Sequence, residues 1–521
     1  MQNNVSRRSF LRQGMLAGGA AVAGPALLAA CGGGAAQPVG QLKTKLDIGV
    51  GLDFNDLNGF DLTINEYPLF PSLYDTLLTY DGAGNTVPRL ATSWEIAPDG
   101  SSVKITLRKG ATFHDGEPVN AQTFVANYQK ATDPAFAYQV YSVISPIKDV
   151  TPTGELTLEM TMQAPTPKEV ITDILDSINL MAPKALDFNA LKHTTIGSGP
   201  FKLQSFTPGN QLVLTRFENW WRKPKPSLEQ ITFHISSDYD AAIASLQAGS
   251  LDMVAFVPPA EAIKVKDQFD IFVGPTGLEV YPLRINPQQA PFDNKMVRQG
   301  LHFALDRKQI VSKVFYGYSK PTVLLFGEQS PAFDNSALAK YPFDLQRAKQ
   351  MFSAAGAPNW TATCYLVNTD VVGQSIVQVL QADLAKIGVT LQVQPIGVAE
   401  SGARAFAGNY QMSYGIFGNC GKYPTWVTLN SLCRVANNPV LKGTATPILS
   451  RWTAAIDQAN RATTKSAQET AFAQLRTVLL DESWVIPICQ DETLVVTSKK
   501  SSGVRINRDD FVVLEDVKVT A

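Results

Sequence analysis

Histidine and cysteine are scarce in this chain, four and five residues respectively out of 521. His114, His193, His234 and His302 are scattered, and no Cys-x-x-Cys occurs. Both facts argue against a metal centre built from imidazole and thiolate, and no cofactor motif stands in its place. Basic surplus is missing too: 45 Lys and Arg face 46 Asp and Glu, for a net charge of −1. A nucleic-acid footprint needs a basic excess or stripe. Beyond residue 31 no apolar run has the length and purity of a membrane helix. Hydrolase signatures are absent: no Gly-x-Ser-x-Gly is followed by Asp and His in order, and Gly197-Ser198-Gly199 lacks the elbow spacing. That segment is not a phosphate loop either, because the Lys and Ser/Thr that should follow are missing. Tandem repeats and internal low-complexity linkers are lacking. With 45% apolar residues the chain can bury large cores, and its length suits two or three domains.

What is present begins at the N-terminus. Ser6-Arg7-Arg8-Ser9-Phe10-Leu11-Arg12 is a basic run with the form of a twin-arginine export signal. Gly14 to Ala30 is apolar and uncharged, too short for a comfortable span but suited to a signal h-region. Small residues then precede Cys31, whose thiol can take a lipid. The pattern resembles a bacterial lipoprotein precursor. It predicts a signal over 1–31, a lipid anchor at Cys31, and a place in the periplasm or on the outer face of the cell membrane. Without Arg7, Arg8 and Arg12 the net charge becomes −4. Residues 32–41, rich in Gly, Ala and Pro, read as a flexible tether.

In an oxidising compartment the four remaining cysteines invite pairing. Cys420 with Cys433 is the favoured pair, since a short loop is easy to close; Cys364 and Cys489 read as free buried thiols or as a weaker second pair.

Along the body, Lys45 to Val50 reads as a first strand, and Val103 to Leu107 alternates as a half-buried one. Turns fall at Asp81-Gly82, Pro98-Asp99-Gly100 and His114-Asp115-Gly116. Asn120 can cap a helix carrying Phe124, Val125 and Tyr128 on its apolar side. Strands follow at Phe201–Phe206 and Gln211–Arg216. A helix over Asp238 to Gly249 then precedes a buried strand over Leu251 to Val254. Asp293 and Asp306 are cap candidates for the next two helices. Ile376, Leu380 and Leu384 mark another helix stripe that stops at Gly388, before a strand through Val389, Leu391 and Val393. Strands alternating with helices over short joins indicate an α/β fold.

Several blocks, taken in order, carry a resemblance. They are Pro88-x-Leu90-Ala91-x-Ser93-Trp94-Glu95, Phe113-His114-Asp115-Gly116, Gly197-Ser198-Gly199-Pro200-Phe201, Asn286-x4-Pro291-Phe292-Asp293, Val297-Arg298-Gln299, Ala304-Leu305-Asp306-Arg307 and Tyr341-Pro342-Phe343-Asp344 with Ala348-Lys349. Each is weak alone, but their order and spacing resemble the family 5 extracellular solute-binding proteins of ABC importers, the group of dipeptide, oligopeptide and nickel receptors. The motif residues themselves read as architectural. Trp94, Trp220 and Trp221 suit packing, His114 suits a satisfied turn, and the Gly197 to Pro200 crossing suits glycine's tolerance of positive φ.

The resemblance implies a periplasmic-binding-protein-like class II fold with two lobes and a hinge. The discontinuous first lobe would comprise 42–76, 195–282 and 487–521, with a small α/β domain inserted over 77–194, and the second lobe would span 283–486. It also implies a monomeric receptor, not an enzyme, that captures a peptide or other small organic solute between the lobes and passes it to a membrane permease. In peptide-binding relatives an aspartate of the second lobe pairs with the peptide's α-ammonium. Asn419 falls where that acid would be, and Tyr423 stands before Pro424 where Asp is usual. An amide does not neutralise an ammonium, so neutral or anionic solutes or modified peptides are favoured, unless another acid such as Glu400 supplies the charge. Cys420 and Cys433 flank this segment, and some relatives have a disulfide at a similar place. The resemblance puts Phe54, Asn55, Tyr281, Phe417, Gly418, Asn419 and Trp426 at the cleft, and Arg404 could grip a ligand carboxylate or form a surface ion pair. A metal chelate held by Arg and aromatics stays open. The competing readings are a ligand sensor or chaperone of the same fold and, less favoured, a secreted hydrolase.

Overall fold

The computed structural model describes residues 41–521, apart from 55, 61–67, 134–135, 137, 188, 276 and 430–445. The expected signal, Cys31 and all but the last residue of the tether therefore lie outside the described residues, as do Asn55 and Cys433.

Local chemistry sets the element ends. Asn120 caps the helix Ala121–Ala131 through a reciprocal capping box with Thr123. Asp238, Asp306 and Asp370 each accept a bond from the backbone three residues on and start a helix. One cap departs from expectation. Asn294, not Asp293, accepts the Met296 N–H and begins the helix Lys295–Phe303. Helix stops fall at Gly249 and Gly388, with φ of 76° and 83°, a conformation that glycine adopts without strain.

Three sheets organise the chain. The first has seven strands in the order Asp270–Val273, Leu494–Thr497, Met253–Ala255, Lys45–Val50, Gln230–Ile235, Gln211–Arg216, Phe201–Thr207. Lys45–Val50 is parallel to both its neighbours, and the outer pairs are antiparallel. Between its strands Lys45–Val50 and Phe201–Thr207 the chain builds a separate four-stranded antiparallel sheet. Its strand Ser102–Leu107 buries Val103, Ile105 and Leu107 and exposes Lys104 and Thr106, the alternation of a one-sided sheet.

The remaining sheet has six strands: Lys320–Pro321, Val485–Gln490, Val280–Ile285, Met412–Tyr414, Thr361–Val367, Thr390–Ile396. Val280–Ile285 and Val485–Gln490 lie wholly within it. The chain thus passes between the two large sheets at 274–279 and 491–493 rather than at 282/283 and 486/487. No helix among the described residues is long and apolar enough to cross a membrane.

Candidate functional site

The two crossings run side by side. Gly274 N–H donates to Thr493 O at 2.8 Å, Asp491 N–H to Glu279 O at 2.9 Å and Gly277 N–H to Asp491 O at 3.3 Å. Gly277 sits at φ 94°, and a Cβ there would lie 2.2 Å from Gln490 Oε1, so both conformation and space demand glycine. The loop that follows strand Met412–Tyr414 is tied to this crossing. Phe417 and Val280 exchange two backbone bonds of 2.9 Å, and Cys420 N–H donates to Leu278 O at 2.7 Å.

The predicted site residues divide. Tyr281, Phe417, Gly418, Asn419 and Trp426 come together on this loop and crossing. The Tyr281 hydroxyl donates to Asp491 Oδ2 at 2.5 Å, and its ring stacks on Tyr414 at 6.1 Å. Phe417 is buried, with the Arg284 guanidinium 5.4 Å from its ring centre. At Gly418 a Cβ would meet nothing within 4 Å. Asn419 is half-buried, stands at φ 61°, and makes no side-chain hydrogen bond to another described residue. Trp426 is buried against the Lys422 ammonium, 4.3 Å from its ring.

Two others sit elsewhere. Phe54 is 3% exposed and packs edge-on against Phe206 and Phe233, a core position rather than a cleft wall. Arg404 pairs with Glu400 one helical turn away at 2.9 Å and lies 4.4 Å over the Tyr365 ring. That is the surface ion pair of the two readings, and it engages Glu400 as well. Cys364 and Cys489 are buried free thiols, so the second disulfide does not form. The Cys420 thiol donates to Phe417 O at 3.1 Å.

Sequence reasoning missed the acids of the crossing. Burial, then the charge of Asp491, pushes the Glu279 carboxyl up to about 8. Burial pushes Asp491 up to about 6 despite the Tyr281 hydroxyl, and Asp510 is raised well above the carboxylate range by burial and its acidic neighbours. None stands in a recognisable motif; they meet because the C-terminal segment folds back onto the crossing.

A second network joins the loop to the C-terminal segment and the helix Lys168–Ser177. Lys422 Nζ stands 3.4 Å from Asp509, Arg508 is 2.8 Å from Asp173, and the Tyr423 N–H donates to Asp173 Oδ2 at 3.2 Å. Asp176 is raised well above its usual range by burial and by Asp509. Nearby, a cavity of about 400 Å³ is lined by Tyr74, Tyr80, Arg89, Asp176, Trp221 and Asn507, among others. None of the expected ligand residues borders it.

The motif residues prove architectural in detail. Trp220 and Trp221 both donate their indole N–H to Asp75 Oδ2, at 2.9 and 2.7 Å, and Arg89 holds the other oxygen. His114 Nδ1 accepts from Gly197 N–H and Nε2 donates to Gly199 O, both at 3.1 Å, a neutral ring whose pKa burial pushes down to about 4. Gly197 and Gly199 are needed for close approach, not for positive φ as the sequence suggested. A Cβ would lie 2.0 Å from Leu73 O at the first and 2.6 Å from Leu73 C at the second.

Comparison with known proteins agrees with this architecture. The family profile "Bacterial extracellular solute-binding proteins, family 5 Middle" matches residues 85–432. The glutathione-binding protein GsiB of Pectobacterium atrosepticum is 25% identical over 507 residues, covering 93% of this chain and 96% of the relative. Among solved structures, NikA from Brucella suis in complex with Fe(III)-EDTA has a TM-score of 0.81 at 20% identity, covering 92% of this chain and 100% of that one. DppA from Helicobacter pylori in complex with peptide STSA has a TM-score of 0.77 at 19% identity, with 92% and 98% covered. These neighbours are two-lobed periplasmic binding proteins, and the chain shares their fold. Ordered motifs, twin sheets with paired crossings and a profile spanning most of the chain converge: this protein belongs to the family 5 bacterial extracellular solute-binding proteins, receptors that bind a small solute outside the cytoplasm for an ABC importer.

Proposed function

We propose that this chain is a lipid-anchored, monomeric receptor that closes two lobes on a peptide or other small organic solute and delivers it to a membrane permease. The lobes are those built on the seven- and six-stranded sheets, the first carrying the inserted four-stranded domain. Export is by the twin-arginine route and Cys31 bears the lipid. The observation that carries the reading is the loop Phe417–Asn419, whose backbone is bonded to Val280 beside the paired crossings. A ligand loop fixed at the pivot senses both lobes, and two antiparallel crossing segments permit the small φ/ψ changes of hinge closure.

The open form takes solute on one lobe, and contacts from the other then favour closure by differential affinity. Tyr281, Gly418, Asn419 and Trp426 border the solute, with Asn419 offering a neutral amide. Relatives hold glutathione, Fe(III)-EDTA and a peptide, so the scaffold alone does not dictate cargo. The test is to denature the exported protein, identify the released solute by mass spectrometry, and measure solution scattering with and without it. Compaction on binding supports the receptor; chemical turnover of the solute, or tight binding without compaction, overturns it.

A further inference from the structure

Most buried acids elsewhere in the described residues are matched to cations, Asp176, which faces Asp509, being an exception. Asp75 meets Arg89, Glu515 meets Arg89 and Arg222, Asp173 meets Arg508, Asp383 meets Lys386 and Glu482 meets Arg298. The crossing breaks this pattern. Glu279 is 7% exposed and Asp510 2% exposed, Asp491 is half-buried beside them, and none has an ion-pair partner among the described residues. Asp510 Oδ1 is buried with no hydrogen-bond partner among the described residues. It points at the crossing: a Cβ on Gly274 would lie 2.5 Å from it. The Tyr414 hydroxyl, also buried and without a partner among the described residues, belongs to the ring that stacks on Tyr281, whose own hydroxyl reaches Asp491. A buried carboxylate without a cation is expensive, and a missing partner is the economical explanation.

We propose that Glu279, Asp491 and Asp510 supply the counter-charge for an organic cation of the solute, a primary ammonium or a guanidinium, seated at the strand crossing against Tyr281 and Tyr414. The assignment rests on the receptor reading and says where the charge absent at Asn419 has gone. Asn419 is two residues past Phe417, which bonds to Val280, the neighbour of Glu279. No group of three acids, histidines or cysteines among the described residues converges as a metal site. The rings of Tyr281, Tyr414 and Phe315 line the same place, with Tyr281 and Phe315 at 5.4 Å, and aromatic faces beside carboxylates suit organic cations.

The test uses paired solutes that differ only in a blocked amine: Met-Leu, glutathione and putrescine, each against its N-acetylated form. The full exported chain in mild detergent is followed by thermal unfolding and calorimetry. At least one free amine is expected to raise the unfolding midpoint more than its acetylated twin. Asp491→Asn and Glu279→Gln should each remove that preference, with a loss of at least tenfold in affinity, while Asp383→Asn keeps it. Both crossing variants remove a buried carboxyl with no ion-pair partner among the described residues and are expected, above pH 8, to unfold at a higher temperature than the parent without ligand, so a failure to fold does not explain a lost preference. The proposal is overturned if no amine outperforms its twin, or if the preference survives in both variants. A solute that compacts the protein regardless of acetylation sinks this assignment and leaves the receptor reading standing.

Discussion

Lys422 Nζ stands 3.4 Å from Asp509 Oδ1, with both side chains almost fully buried, and so ties the loop after strand Met412–Tyr414 to the C-terminal segment. Despite their burial, the charges of Arg508 and Lys422 hold Asp509 well below the usual carboxylate range. Removing the ammonium leaves Asp509 with Arg508 alone at 3.2 Å. Lys422→Met is therefore expected to destabilise the protein by about 3 kcal/mol. Chemical denaturation measures this, and a change under about 0.5 kcal/mol would show that the pair is no anchor.

Asn419 adopts φ 61°, and its side chain makes no hydrogen bond to another described residue. Asn and Asp are the side chains that best tolerate this region. Asn419→Asp should fold normally and increase affinity for peptides with a free α-amine. Asn419→Val should lose about 1–2 kcal/mol of stability from backbone strain. Calorimetry with Met-Leu reads the first effect; unchanged affinity in the Asp variant means this position does not face the amine.

Ligand-free stability should fall as pH rises from about 5 to about 8. Glu279 titrates near 8 and Asp491 near 6 in the folded protein, against ordinary values of 4.5 and 3.8. Between those values the native state holds protons that the unfolded chain has already released, so each pH step favours unfolding. Asp370 raises Asp491 and Glu492 raises Asp510 through their charges, whereas the Tyr281 hydroxyl bonded to Asp491 opposes the rise. Glu279→Gln should flatten the slope of unfolding midpoint against pH; an unaltered slope places the titration elsewhere.

Arg404 and Glu400 form an i,i+4 pair on the helix Val398–Ala407, with side chains 26% and 50% exposed. Exposed helical pairs contribute about 0.3–0.5 kcal/mol. Arg404→Ala should leave solute affinity within twofold. A tenfold loss in calorimetry with the co-purified solute would return Arg404 to the binding site.

Local pattern was legible wherever a residue's role depends on its neighbours in sequence. Asn120, Asp238 and Asp306 announced helix starts because a cap acts within three residues. The strand Ser102–Leu107 announced its buried face through strict alternation. Motif order identified the family, and the Gly-rich segment 197–199 was recognised as architectural, although its reason, contact with Leu73, lies more than a hundred residues away. Phe54 looked like a cleft residue, yet an aromatic after a first strand can face either way until its partners Phe206 and Phe233 are placed.

What the sequence by itself determined is the class of this protein: an α/β chain with export-like N-terminal chemistry and the ordered blocks of a solute receptor. What only the tertiary structure decided is where charge resides. Glu279, Asp491 and Asp510 are far apart in sequence and form no motif, but the C-terminal fold-back brings them to one crossing. Coulomb energy and desolvation depend on distance and burial through space, and neither quantity is written in residue order.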